Sequence, residues 1–269
     1  MELRDRHVVV TGASRGIGAA LAREFAARGA RLTLVARSAD ALAALADEIG
    51  GRGIPADLSD PTVVGGLISR IEDEVGPIDV LVNNAGIDLT GGFVDLTHDD
   101  LERLIRLNVI AVTELTRQVL PRMIARGRGH VVMMSSLAGA GTFPGIAVYA
   151  GTKAYVTHMT EGVRLELKGL PIGLTIVEPG LVTPTDMAES VTSYGPTAAS
   201  FARFNRLGLL ADVDRDALAG HVVRAVEQGK RNVRYPKRAR LFPQLTNAPR
   251  RLVGLFLVGV PRREGRSGG

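Results

Sequence analysis

Short runs rich in Val, Ile and Leu recur along the chain, separated by longer stretches with apolar residues at every third or fourth position. The runs at residues 7–11, 31–36, 53–56, 78–83, 130–135, 172–178 and 232–235 predict β-strands. The stretches near 16–29, 40–49, 61–75, 98–126, 147–169 and 214–229 predict helices. Several strands do not alternate apolar with polar positions. Val8, Val9 and Val10 form one apolar block and residues 32–36 a nearly continuous second, as strands do when helices cover both faces of their sheet. Strand–helix repetition through short Gly, Pro and Asp turns predicts right-handed crossovers. The expected fold class is therefore α/β, a Rossmann-like doubly wound parallel sheet of about seven strands with helices on both faces. Residues 1–236 read as one domain, with 185–210 as a lid, and residues 237–269 as a C-terminal extension.

Composition narrows the function. With 45% hydrophobic and 23% charged residues among 269, the chain is globular, which excludes disordered, collagen-like and coiled-coil classes. It has no Cys, so disulfides, thiolate metal sites and a Cys nucleophile are excluded. The five His (7, 98, 130, 158 and 221) show no ligand spacing, and no metal site is expected. The N-terminus MELRDRH lacks the apolar core of a signal peptide, and no apolar run approaches the ~20 residues of a membrane span, so a cytoplasmic protein is expected.

Charge is unevenly placed. Residues 230–269 hold 11 Lys/Arg and one acid, whereas the remaining residues hold 22 Lys/Arg and 27 Asp/Glu. The positive balance thus belongs to the tail. A basic body holding nucleic acid along one face is not the pattern, and the tail's few aromatics form no stacking surface.

In a doubly wound sheet, ligands bind past the carboxyl ends of the strands, near where strand order reverses. After the first strand the chain reads Thr11-Gly12-Ala13-Ser14-Arg15-Gly16-Ile17-Gly18 and enters an apolar helix. Glycines let a backbone approach a pyrophosphate, and a helix N-terminus offers free N–H groups. A plain tight strand-to-helix turn would look similar. Past the second strand, Ala36 stands where an acid would hold adenosine ribose hydroxyls, and Arg37 follows, which suits a 2′-phosphate. Arg15 could approach the same phosphate, or both could be solvated charges. The expected cofactor is NADP(H).

Tyr149 and Lys153 are four residues apart, on one face of a helix if one opens there. A free phenol has a pKa of about 10, and a neighbouring ammonium would lower it toward a useful range. A surface pair is the competing reading. Ser135 and Ser136 close the fifth strand, where a hydroxyl could hold a reacting oxygen beside the phenol, or merely begin a loop.

Together these residues resemble the short-chain dehydrogenase/reductase family in its single-domain form. Residues 11–18 fit T-G-x-x-x-G-x-G, and Asn83-Asn84-Ala85-Gly86 fit N-N-A-G. Asn108, Ser136, Tyr149 and Lys153 fall where the family has its catalytic set, and Pro179-Gly180 match its P-G turn. The resemblance implies that Tyr149 is the general acid or base, Ser136 positions the reacting oxygen, Lys153 lowers the phenol pKa and holds the nicotinamide ribose, and Asn108 supports a proton path. It also implies cofactor contacts from Gly12, Ser14, Arg15, Gly16, Ile17, Gly18, Arg37, Asp57, Leu58, Asn84, Ala85, Gly86, Pro179, Gly180 and Val182. The family's P-G-x-x-x-T is altered here: Thr183 comes one position early and Thr185 one late, with Thr185 the better match for the nicotinamide amide. A homodimer or homotetramer is implied as well.

The lid carries Met187, Val191, Tyr194, Phe201, Phe204 and Leu207, which suits a lipophilic carbonyl or alcohol substrate unless these residues pack on the protein itself. In the tail, Lys237, Arg238, Arg240, Arg250 and Arg251 precede the apolar run 252–260, and Arg262, Arg263 and Arg266 follow it. Three readings compete for it: an arm at a subunit interface, peripheral attachment to anionic lipid, and a solvated tail. For the whole chain, the alternative to an oxidoreductase is a catalytically silent NADP(H)-binding regulatory or scaffolding protein. The intact Ser136, Tyr149 and Lys153 favour chemistry.

Overall fold

A computed structural model describes residues 1–236 apart from 142 and 209; the predicted extension, 237–269, lies outside the described residues. The strands are β1 (His7–Thr11), β2 (Arg31–Ala36), β3 (Arg52–Pro55), β4 (Val80–Asn83), β5 (Gly129–Met134), β6 (Ile172–Pro179), β7 (Val182–Thr183), β8 (Val213–Asp214) and β9 (Asn232–Tyr235). The helices are α1 (Gly16–Ala27), α2 (Ala39–Ile49), α3 (Pro61–Val75), α4 (His98–Ile105), α5 (Val112–Ala125), α6 (Ala147–Glu166), α7 (Asp186–Ser193), α8 (Gly195–Arg206) and α9 (Arg215–Glu227). Seven strands form one sheet in the order β3-β2-β1-β4-β5-β6-β9, every neighbouring pair parallel. Strand order reverses between β1 and β4, which opens the ligand crevice at their carboxyl ends.

The apolar strands are buried on both faces because successive side chains point oppositely. Val8 and Val10 join a core with Leu21 and Phe25 of α1 and Val222 and Val226 of α9. Val9 joins the opposite core, with Ile68 of α3, Leu115 of α5 and Val156 of α6. Local chemistry sets the helix starts. Ser38 caps α2 and Asp60 caps α3 ahead of Pro61, while Thr97 and Asp100 form a reciprocal capping box on α4.

The structure departs from the sequence reading in three ways. Strands β3, β4, β5 and β6 shift by one or two residues at one or both ends, where ladder pairing decides and side-chain pattern does not. The helix expected over 98–126 is broken by a π-helical turn, Arg106–Ala111. The lid segment 185–210 folds into α7 and α8, anchored by a two-stranded ribbon of β7 on β8. Two residues per strand are too short to show a period. No helix among the described residues is long and apolar enough to cross a membrane.

Candidate active site

The glycine turn is built by close backbone approach. Thr11 Oγ1 donates to the Val82 carbonyl and accepts from the amides of Asn84 and Ala85, locking the end of β1 to the end of β4. Gly12 has φ +65°, and a Cβ there would stand 2.9 Å from Ala85 Cα. At Gly18 a Cβ would lie 2.1 Å from the Gly12 carbonyl oxygen. Above Gly16 the space is open, with only Thr185 Cγ2 within 4 Å, at 3.8 Å, of an added Cβ. No side chain caps α1, whose N-cap residue is Arg15. Its first amides therefore face the crevice unpaired by a cap, which fits a pyrophosphate.

Beyond β2 and β3 lie Arg37 and Asp57, both exposed. Asp57 accepts from the Ser59 hydroxyl (2.7 Å) and amide (2.9 Å); these bonds, and then the Arg37 charge, hold its carboxyl below the usual range. Leu58 is buried beside it. The two charged groups thus stand within electrostatic reach of each other past the ends of neighbouring strands. Arg15 does not join them: it pairs with Asp186 at the start of α7, so the glycine turn is tied to the lid.

The remaining candidates converge past β5. Ser135 is turned away, bonding the Lys153 carbonyl (2.8 Å) and Thr157 (2.7 Å). Ser136 faces the site: its oxygen accepts from the Ala138 amide at 3.1 Å, and its hydroxyl lies close enough to the Tyr149 phenol to favour the phenolate. Tyr149, in the first turn of α6, is buried, and its hydroxyl also reaches Met187 Sδ of the lid at 3.5 Å. One turn on, Lys153 Nζ donates to the Met134 carbonyl at 2.9 Å and lies 5.7 Å from the Tyr149 ring centroid.

Burial dominates the electrostatics of the pair. Burial pushes the Tyr149 phenol well above its ordinary value; the Ser136 bond opposes this and the Asp88 charge adds to it. Burial also pushes Lys153 down, to about 8. Both shifts run toward the neutral form because the low-dielectric interior penalises charge, though a lysine near 8 still carries most of its charge at pH 7.

The π turn aims Asn108 inward. Its Oδ1 accepts from the Ile87 amide at 3.0 Å, and its Nδ2 donates to the Ile87 carbonyl (2.8 Å) and Thr152 (3.2 Å). A Cβ on Gly86 would stand 3.2 Å from Asn108 Oδ1 and 3.4 Å from Lys153 Nζ, so that glycine keeps both groups at the crevice floor. Asn84 Nδ2 bonds the Thr11 carbonyl beneath it.

At the far end, Gly180 donates to the Tyr235 carbonyl and Val182 is buried in β7. Thr185 caps α7, accepting from the Ala188 amide (3.1 Å) and donating to the Val182 carbonyl (2.7 Å), so its hydroxyl is already used within its own loop. Thr183 lies in β7. The lid's apolar residues pack largely on the protein: Val191 and Phe204 are buried with Phe143, Ile146 and Tyr149, and Phe143 stacks on Phe201 at 5.0 Å. Met187 was legible as lid content but not as a contact of the phenol, and Asp186 as the partner of Arg15 left no signal in the sequence.

Residues 6–194, more than half of the chain, match the family model of the short chain dehydrogenases. Oxidoreductase UcpA of Escherichia coli K12 is 41% identical over 196 residues, covering 71% of this chain and 74% of that one. A short-chain dehydrogenase from Sphingobium yanoikuyae, solved in complex with NADPH, is 30% identical with a TM-score of 0.75, covering 97% of this chain and 99% of that one. A relative from Burkholderia phymatum, solved in complex with NAD, has a TM-score of 0.80 over 91% of this chain and 94% of that one; at 23% identity it speaks to the fold. An open glycine turn, a buried Tyr149–Ser136 pair with Lys153 one turn on, and these likenesses agree: the chain belongs to the short-chain dehydrogenase/reductase family, oxidoreductases acting on CH–OH and C=O groups.

Proposed function

We propose that this enzyme is an NADP(H)-linked carbonyl reductase or alcohol dehydrogenase for a lipophilic substrate, with Tyr149 as its proton-transfer residue. The observation that carries the reading is the buried phenol of Tyr149, held by Ser136 and bordered by Met187 at the carboxyl edge of the sheet. Gly12, Ser14, Gly16, Ile17 and Gly18 with the start of α1 would hold the pyrophosphate, and Arg37 and Asp57 the adenosine end. Asn84, Ala85 and Gly86 would floor the crevice, Lys153 would meet the nicotinamide ribose, and Pro179 to Val182 with Thr185 would border the nicotinamide. When bound, that cofactor supplies or accepts the hydride. Arg37, standing one residue past the usual acid position, supports the phosphorylated dinucleotide, as does the NADPH held by the Sphingobium relative.

In the reductive direction Tyr149 donates its proton to the substrate oxygen, and in oxidation it takes the proton back. Its raised pKa keeps the acid form loaded at neutral pH. Ser136 orients the oxygen. Lys153, poised near 8, can exchange a proton along the crevice floor beside Asn108. Met187, only partly buried and 3.5 Å from the phenol, borders the site with an apolar side chain, which favours apolar substrates.

Turnover measured with a panel of ketones and aldehydes, comparing NADPH with NADH, tests the reading. Tyr149→Phe should lower kcat at least ~100-fold while NADPH affinity is unchanged. Undiminished turnover in that variant removes Tyr149 from the chemistry, and a higher kcat/KM with NADH removes the cofactor assignment.

A further inference from the structure

The glycine turn meets the lid through charge. Arg15 Nη1 lies 2.5 Å from Asp186 Oδ2, and the two side chains are 73% and 68% exposed. A pair so exposed is weakly held, because water and dissolved salt compete for both partners. Arg15 is the N-cap residue of α1, whose first amides have no side-chain cap, and Asp186 opens α7 behind the capping Thr185. Thr185 Cγ2 in turn comes within 3.8 Å of a Cβ added on Gly16. The first turn of the lid therefore stands over the stretch of backbone that fits a pyrophosphate.

The same guanidinium is within reach of a second anion. The Ala13 amide donates to the Val35 carbonyl at 3.2 Å, and Thr11 of β1 lies opposite Val35 of β2. Neighbouring strands are about 5 Å apart, a gap that a long arginine side chain crosses. Arg37 stands exposed two residues past Val35, as Arg15 stands two residues past Ala13. A 2′-phosphate held beside Arg37 would bring about two negative charges at neutral pH, against one on Asp186. It would also accept from a guanidinium through two parallel bonds. Arg15 cannot serve the lid carboxylate and the phosphate at once without dividing its donors between them.

We propose that Asp186 sets the balance between NADP(H) and NAD(H) by competing with the 2′-phosphate for Arg15, so that the phosphorylated dinucleotide releases the lid and the unphosphorylated one leaves it tied. The inference rests on the dinucleotide site proposed above and adds to it a residue that opposes the phosphate. The effect extends to the reacting end of the site. Asp186 is followed by Met187, whose Sδ lies 3.5 Å from the Tyr149 hydroxyl, so a lid tied at Asp186 also fixes the sulfur that borders the phenol. Linkage makes the effect reciprocal: whatever the ion pair takes from NADP(H) affinity, the bound phosphate takes from the ion pair.

Calorimetric titration of the full chain with NADP+ and with NAD+ tests this. Asp186→Asn should tighten NADP+ binding about threefold, the scale of an exposed ion pair, and leave NAD+ binding unchanged. In an Arg15→Ala background the same substitution should shift neither. Glu189→Gln, which removes an exposed charge from the same first turn of α7, should also shift neither. At saturation, amide hydrogen exchange over residues 186–193 should be faster with NADP+ than with NAD+, and the difference should vanish in Asp186→Asn. An Asp186→Asn shift that is absent, equal for the two cofactors, or retained without Arg15 overturns the proposal, the last because it means general charge repulsion. Equal exchange with the two cofactors in the native chain overturns it as well. Tighter binding of NAD+ than of NADP+ by the native chain would instead sink the cofactor assignment, and the ratio of variant to native affinity for NADP+ would still decide the role of Asp186.

Discussion

Gly18 shows how much of this site is decided by single atoms. Its missing side chain lets the Gly12 carbonyl and Asn84 Nδ2 occupy space that a Cβ would enter at 2.1 and 2.6 Å. Gly18→Ala should therefore push the turn off β4, with an overpacking cost of ~1–3 kcal/mol in thermal unfolding and a loss of NADPH affinity. Unchanged stability and affinity would mean that the turn relaxes freely. The glycine pattern was legible because it is contiguous. The state of the neighbouring phenol was not: Tyr149 and Lys153 stand one turn apart as their spacing requires, yet burial outweighs any effect of the lysine, and burial comes from Phe143, Ile146 and the lid rather than from the motif. The choice between the two serines likewise fell to the packing of α6 against β5, which engages Ser135 and leaves Ser136 to the phenol.

At the scale of elements, helices with both a period and a cap were read closely. Residues 61–75 have Asp60 and Pro61 at one end and Gly76 at the other, and the expected bounds are the observed ones. Within that helix Gly66 is exposed, and a Cβ added there would meet nothing within 4 Å. Gly66→Ala should stabilise the protein by ~0.5–1 kcal/mol, because glycine loses more backbone entropy in a helix than alanine. Denaturant titration checks this, and a destabilised variant would mean that α3 is not a regular helix at that position. The π turn at Arg106–Ala111 escaped the sequence reading because it shifts backbone hydrogen bonds without a proline or glycine to announce it. Its consequence is functional, since Asn108 points at Ile87 from that turn.

For the whole molecule, the sheet separates chemistry from stability. The candidate catalytic groups gather at its carboxyl edge, while the opposite edge holds two buried histidines. His7 bonds the Gly76 carbonyl and Thr33. His130 Nε2 lies 2.8 Å from Thr175 Oγ1, whose own proton goes to the Lys230 carbonyl, so the imidazole is the donor. Burial pushes His130 down to about 4. An unfolded histidine titrates near 6.5, so the unfolded chain binds the extra proton first as pH falls. The contribution of His130 is complete above that pH and is lost between about 6.5 and 4, reaching about 2 kcal/mol at pH 5. Unfolding titrations at pH 7 and pH 5 should show this excess loss in the native protein relative to His130→Gln; equal pH dependence in the two would sink it.

The sequence by itself determined the layered sheet, the order of its motifs and the identities of the groups that meet in the crevice, because periodic burial, caps and turn residues act between near neighbours along the chain. The tertiary structure alone decided that Arg15 pairs with Asp186, that Met187 borders the phenol, and that burial raises the Tyr149 pKa and lowers that of Lys153. Those outcomes depend on desolvation and on contacts between residues far apart in the chain, and neither exists until the lid has packed on the sheet.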